Sequence, residues 1–271
     1  SDHHGVFAYG SPAAGAISVA AQGTISSGQD GVHVRQYGAG AVNVTTDGAI
    51  SSIHDGVDVV AYAGGDLTVN VNQSIVAGSS GIELQRSFNG VAAATNLNLN
   101  ASIRGSSSGL FLVQSATSET TINLGANAHL TGGTGYGILA VLAGAGSNLE
   151  IAGMGGRVEG ALTGANLHNN NGNLTLRDLN FVRGQLGDGA RLVSLGGDIA
   201  IENIDAISGI GGWAVNADSR SSGGDGDISI QSITISPFIQ GNDPLTLLLL
   251  STNGIRALSG DGSLELTNIG E

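Results

Sequence analysis

Gly31-Val-His-Val34, Gly56-Val-Asp-Val59 and Gly81-Ile-Glu-Leu84 repeat one phrase, a glycine followed by an apolar–polar–apolar triplet. Gly5-Val-Phe-Ala stands before them, and Gly109-Leu-Phe-Leu and Gly137-Ile-Leu-Ala follow, so the successive steps are 26, 25, 25, 28 and 28 residues. A second feature keeps phase with the first. Ile25, Ile50, Ile75 and Ile103 each stand six residues before a strand-start glycine (Gly31, Gly56, Gly81 and Gly109), and Leu130 stands seven before Gly137. Between the two lies an alternating segment in every period: Ile17-Ser-Val19, Val42-Asn-Val44, Leu67-Thr-Val-Asn-Val71, Leu97-Asn-Leu99 and Ile122-Asn-Leu124. Alternation of this kind marks strands with one buried face. Self-similarity at such a period marks a unit that buries its apolar face only by stacking on its neighbours. Three short strands per period without a helical stretch predict an all-β chain, a parallel β-helix (β-solenoid) with one period per coil.

Composition agrees. The chain has 46 glycines in 271 residues, three prolines, 4% aromatic and 11% charged residues. A narrow coil that turns sharply several times needs small side chains, and glycine supplies the positive-φ conformations that tight turns use. Stacked parallel strands lie about 4.8 Å apart, so roughly ten coils would form a rod about 45–50 Å long. The repeat crosses the midpoint of the chain, which is read as one domain over 1–271. Coils are regular over 1–145 and looser, with loop excursions, over 146–271. Gly189, Gly212 and Gly254 are expected to anchor later coils, and Ser219–Asp227 and Ser236–Pro244 to leave the rod as loops.

The formal charge is −13, and all nine basic residues are Arg. No basic stripe exists, so the electrostatic footprint of a nucleic-acid binder is missing, and an anionic membrane surface is disfavoured. Cysteine is absent, which suits passage through an oxidising compartment. The most apolar stretch, Leu245 to Leu250, is far too short to span a bilayer. No signal peptide is recognisable, and the start inside a repeat predicts a piece of something longer.

In each first strand the residues one and three after the glycine should point inward: Val32 and Val34, Val57 and Val59, Ile82 and Leu84, Leu110 and Leu112. The residues between them form an outward column, Phe7, His33, Asp58, Glu83, Phe111 and Leu139. Beside it run Tyr9, Arg35, Val60, Gln85, Val113 and Val141, and Tyr37 and Tyr62 align six residues after their glycines. The second strand presents Ser18, Asn43, Thr68 and Asn96, then Thr45, Asn70 and Asn98. These suit side-chain ladders, because amides and hydroxyls bond to their copies one coil away. The candidate binding surface is the outer first-strand face around His33, Arg35, Tyr37, Asp58, Tyr62 and Glu83, against the plainer alternative of a solvated strand face. Exposed tyrosine beside arginine and carboxylates recognises sugars and proteins. Asp58 and Glu83 on adjacent coils are also the pair of close carboxylates that a retaining glycosidase needs.

Other motifs offer less. His3 and His54 hold equivalent places two coils apart, so a shared metal is not expected, and His129 and His168 stand alone. Gly105-Ser-Ser-Ser-Gly109 fits a nucleophile elbow on paper, but that motif needs a strand-to-helix turn, and here it is a connector. Gly223-Gly-Asp-Gly-Asp-Ile-Ser resembles a calcium-binding nonapeptide without its second copy, so Asp225 and Asp227 are read as loop residues. No Walker loop, zinc spacing or Rossmann fingerprint occurs. No catalytic residue, metal or cofactor is assigned.

The Gly-Val-x-Val strand starts, the Asp30-Gly-Val and Asp55-Gly-Val turns and the phrase Val42-Asn-Val-Thr-Thr-Asp-Gly-Ala-Ile-Ser resemble the passenger domain of an autotransporter (type V secretion). The likeness is good over residues 5 to 145 and loose beyond. It implies a right-handed parallel β-helix, secreted or displayed on the surface of a Gram-negative bacterium. Outer-membrane attachment would come only through a C-terminal barrel that is missing from this sequence. Without a bulky inserted domain the chain looks least like protease or esterase members. Adhesion or self-association is the leading expectation, as in cell–cell aggregation, biofilm or host attachment. The partner would be a host surface protein, a glycan or another copy of the chain, and not nucleic acid. The alternatives are a polysaccharide-degrading enzyme on the outer face and an inert stalk.

Overall fold

The computed structural model describes residues 3–87, 93–115, 117–144, 146–220, 226–235, 254–259 and 262–270. Ser236–Pro244 and Leu245–Leu250 lie outside these residues, as does most of Ser219–Asp227. The described residues are strands and turns without helix, and every strand pairing is parallel. The first coil is β1 (Val6–Gly10), β2 (Ile17–Ala21) and β3 (Ile25–Ser27), and the second is β4 (Val32–Gln36), β5 (Val42–Thr46) and β6 (Ile50–Ser52). The third is β7 (Val57–Ala61), β8 (Leu67–Val71) and β9 (Ile75–Ala77). The fourth is β10 (Ile82–Arg86), β11 (Thr95–Leu99) and β12 (Ser102–Gly105). The pattern continues through β13 (Leu110–Gln114) to β21 (Phe181–Gly184), then β22 (Ala190–Ser194) and β23 (Ile199–Gly209), which covers two sides of its coil. That makes a parallel β-solenoid of about eight turns. β24 (Val215–Asp218), β25 (Ile228–Ile235), β26 (Ile255–Leu258) and β27 (Leu264–Gly270) pair onto its end.

First strands form one ten-stranded sheet, and second and third strands form the other two walls, joined through β23. The register follows the sequence phase: Val32 pairs with Val57, Val57 with Ile82, Ile82 with Leu110 and Leu110 with Ile138. Ile25, Ile50, Ile75, Ile103 and Leu130 line up on the third wall. Together with the alternating residues of the second strands these side chains make one continuous aliphatic core. Burial of such stacks is the main driving force, at about 25 cal/mol per Å² of apolar surface.

The two phased features of the sequence have a common cause. A Cβ on Gly31 would lie 2.3 Å from Cγ2 of Ile50 and 2.5 Å from the carbonyl oxygen of Gly56. At Gly56 the same clashes arise with Ile75 at 2.2 Å and Gly81 at 2.4 Å. Each isoleucine fills the space its own coil's glycine leaves empty, while the next coil crosses close behind. The anchor glycines from Gly5 to Gly189 are therefore needed for close approach, whereas Gly254 has open space around it. Among described glycines, positive φ is confined to Gly146, Gly155 and Gly196, which corrects the expectation that turn conformation explains the glycine content. The anchor assignment also changes at one point: Ala214, not Gly212, precedes the first strand β24, and Gly164 anchors β19 (Ala165–Asn169). Gly189 and Gly254 stand where expected, before Ala190 and Ile255.

Polar ladders tie the coils together. Asn70 donates to Thr45 Oγ1 (3.2 Å), Asn98 to Asn70 Oδ1 (2.8 Å) and Asn123 to Asn98 Oδ1 (3.0 Å). A second device recurs at the turns, where a side-chain oxygen accepts the backbone N–H of the equivalent residue one coil later. Asn148, Asn173, Asp198 and Asp227 do this for Asn173, Asp198, Asp227 and Ser263 at 2.7–3.0 Å. Asp227 is thus a link in a ladder, and the Ser263 N–H that it accepts holds its carboxyl below the ordinary value.

Candidate functional site

Strands β4, β7 and β10 place His33, Asp58 and Glu83 in register on the outer side of the first wall. Arg35 is two residues beyond His33, while Tyr37 and Tyr62 immediately follow their strands. The fold therefore brings all six residues onto one face, with His33, Arg35 and Asp58 in one contact group and Tyr37 and Tyr62 in another. Arg35 Nε donates to His33 Nε2 at 2.9 Å, and Arg35 Nη2 donates to Asp58 Oδ2 at 3.2 Å. His33 Nδ1 lies 2.9 Å from Asp58 Oδ2. Glu83 accepts from Gln85 Nε2 at 2.6 Å. Tyr37 stacks on Tyr62 with centroids 4.6 Å apart, and Tyr9 continues the row at 5.4 Å from Tyr37.

Two residues that alternation alone would not bring in complete the cluster. Asp30, in the turn before Gly31, sets Oδ2 at 2.8 Å from His33 Nδ1. His4, ahead of β1, sets its Nδ1 at 3.1 Å from the same oxygen. Asp30 is held there because its Oδ1 accepts the Asp55 N–H at 3.1 Å, the turn ladder that Asp55 repeats with Ser80 at 2.7 Å. The available signal was the acid before the anchor glycine, present at Asp30, Asp55 and Asp188, where Trp213 N–H is the partner.

This part of the face is not solvated. His33 is 7% exposed and Asp58 6%, although alternation aims both away from the core. The His4 and Phe7 rings pack against His33, with centroids at 4.3 and 5.3 Å, and Arg35 reaches across to Asp58. Val60, aligned with Arg35 and Gln85, is buried too. Burial drives the Asp58 carboxyl up to about 7; Arg35 opposes the rise, while Asp30, Glu83 and Asp55 add to it. Burial likewise lifts Glu83, against its Gln85 hydrogen bond, and lowers His33 against the pull of Asp30. His33 accepts at Nε2 from an arginine that cannot give up its charge, so its proton sits on Nδ1.

Sequence alternation also left out a column inside the coil, the fifth residue after the anchor glycine, which is polar in five coils and interrupted by Ala61 and Leu142. Gln36, Arg86, Gln114, Asn169 and Ser194 are all buried there. Arg86, 1% exposed, donates to the carbonyls of Gly65 (2.5 Å), Ala93 (3.1 Å) and Ala94 (3.0 Å) and to Thr95 Oγ1 (2.6 Å). These groups satisfy the backbone of the corner and belong to the structure.

Chemically, the face offers charge and aromatic edges rather than a cleft. The hollow beside Glu83, lined by Ser79, Ser107, Phe111 and Tyr136, holds about 220 Å³, less than the roughly 300–1,000 Å³ of typical ligand pockets. An open hollow of about 470 Å³ beside Met154 and Arg177 lies on another wall, with Asn98 and Asn123 on its rim. The raised Asp58 carboxyl has the protonation of a general acid, but its burial under Arg35 and His33 keeps a polymer from reaching it. No protein-family model, no curated protein and no solved structure matches the chain.

Proposed function

We propose that the chain is part of an autotransporter passenger, a right-handed coil of roughly ten turns, displayed on the surface of a Gram-negative bacterium. It acts by adhesion or self-association through the outer face of the first wall. The observation that carries this reading is the exposed ring ladder of Tyr9, Tyr37 and Tyr62, 60%, 39% and 40% exposed, beside Arg35. Stacking along the axis occupies the ring faces of Tyr37, so the ladder offers edges and hydroxyls. That suits hydrogen bonding to a protein, to a glycan or to another copy better than sugar stacking. The absence of a deep cleft at this face, among the described residues, favours surface binding over catalysis.

The test is a Tyr37→Ala, Tyr62→Ala variant whose circular dichroism matches the parent. Bacteria displaying it should lose most of their sedimentation or surface attachment in aggregation and host-protein or glycan binding assays. Attachment equal to the parent's would sink this site and leave the stalk reading. At a charge of −13, binding to a cationic partner weakens with salt, whereas a neutral glycan hardly responds.

A further inference from the structure

We infer that His4, Asp30 and His33 form a site for a divalent transition-metal ion of the Zn²⁺ class, clamping the first coils together. The sequence assigned no metal, since the pair it weighed, His3 and His54, stands two coils apart. The fold joins His4, Asp30 and His33: their ligand atoms all lie within 4.8 Å of one another. His4 Nδ1 and His33 Nδ1 converge on one oxygen, Asp30 Oδ2, at 3.1 and 2.8 Å. Tetrahedral zinc with bonds of about 2.0–2.2 Å separates its ligand atoms by about 3.3–3.5 Å, so the two contacts to Asp30 Oδ2 need to open by only a few tenths of an ångström. Asp58 Oδ2, 2.9 Å from His33 Nδ1, is within reach as a fourth ligand.

Three further observations point to a cation. His4 Nδ1 is buried without a hydrogen-bond partner despite its contact with Asp30, because the contact lies off the hydrogen-bond direction. Asp30 is oriented from behind by the Asp55 N–H, the outer-shell support that metal-binding carboxylates characteristically have. The surroundings are rich in negative charge: Asp30, Asp55, Asp58 and Glu83 are interacting neighbours, with Arg35 opposing them. Imidazole and carboxylate donors together suit zinc-class ions better than calcium or magnesium.

Arg35 is the competitor. Its donation to His33 Nε2 keeps the proton on Nδ1. Coordination at Nδ1 requires that proton to leave Nδ1, with Nε2 protonated in its place, so Arg35 must withdraw. The ion and the Arg35 contact therefore exclude each other. An ion held by His4 ahead of β1, Asp30 before β4 and His33 within β4 would tie the first coil to the second.

The test is calorimetric titration of the chelator-treated chain with ZnCl2, alongside thermal unfolding with and without Zn²⁺. One Zn²⁺ should bind per chain and raise the melting temperature. His4→Ala, which lies outside the strands and leaves the sheets intact, should weaken binding at least about tenfold, and Asp30→Asn should do the same. Arg35→Gln should tighten binding, and His3→Ala should leave it unchanged. The site is refuted by no saturable binding, by binding that survives His4→Ala, by binding that depends on His3, or by weaker binding in Arg35→Gln.

Discussion

At Gly56 and Val57, neighbouring residues with opposite tasks, the fold depends on single atoms. Adding a methyl group at Gly56 drives it into Ile75 and the Gly81 carbonyl, and overpacking of this kind costs about 1–3 kcal/mol. Val57→Asp places an unpaired charge in the stack and should cost more than about 4 kcal/mol, enough to unfold the surrounding coils. Chemical denaturation of both variants checks the order; a milder Val57→Asp would show that this column does not face the core. Glu83 gives a pH signature. Burial raises its folded value above the ordinary 4.5, so its contribution to stability is full below about pH 4.5 and is lost as pH rises through the folded value. Glu83→Gln, neutral throughout, should melt above the parent at pH 8, with the difference closing toward pH 4. A difference that grows on acidification would contradict this.

Single strands here are three to eleven residues long, too short to persist alone, and are held by neighbours above and below. The Thr45–Asn70–Asn98–Asn123 ladder shows how. Asn98 both donates to Asn70 and accepts from Asn123, so Asn98→Ala removes two bonds at once. The expected cost is about 1–2 kcal/mol, read as a lower denaturation midpoint with the transition slope unchanged. Asn98→Asp should cost more than Asn98→Ala, because its carboxylate faces the Asn70 oxygen without a donor. Equal midpoints for Asn98→Ala and the parent would mean that water replaces the ladder without loss.

For the whole molecule, stacking of coils fixes both spectrum and shape. Circular dichroism should show β-sheet with negligible helix, and small-angle scattering should show an elongated particle. A radius of gyration near the roughly 18–19 Å of a 271-residue globule would be incompatible with a solenoid. Because each coil touches only its neighbours, damage at one coil should spread along the axis through those neighbours, as in other repeat proteins.

The coil was legible in the sequence because register in a parallel stack is set by periodicity: glycine over glycine, Ile50 over Ile75, Asp58 beside Glu83. Alternation also told which residues leave the core, since side chains on a strand point to opposite sides. What alternation does not carry is the cover on the outer side. His33 and Asp58 are buried because His4, Phe7 and Arg35 close over them from other coils and from the segment ahead of β1, and no spacing rule encodes those side-chain paths. The anchor glycines show the same division. Their positions were plain in the sequence, but only the tertiary structure revealed that they are required by an isoleucine methyl group and a crossing backbone, not by turn conformation. Asp30 divides likewise, since its turn was readable from the glycine that follows, whereas the convergence of two histidines on its carboxylate depends on how three segments of chain pack.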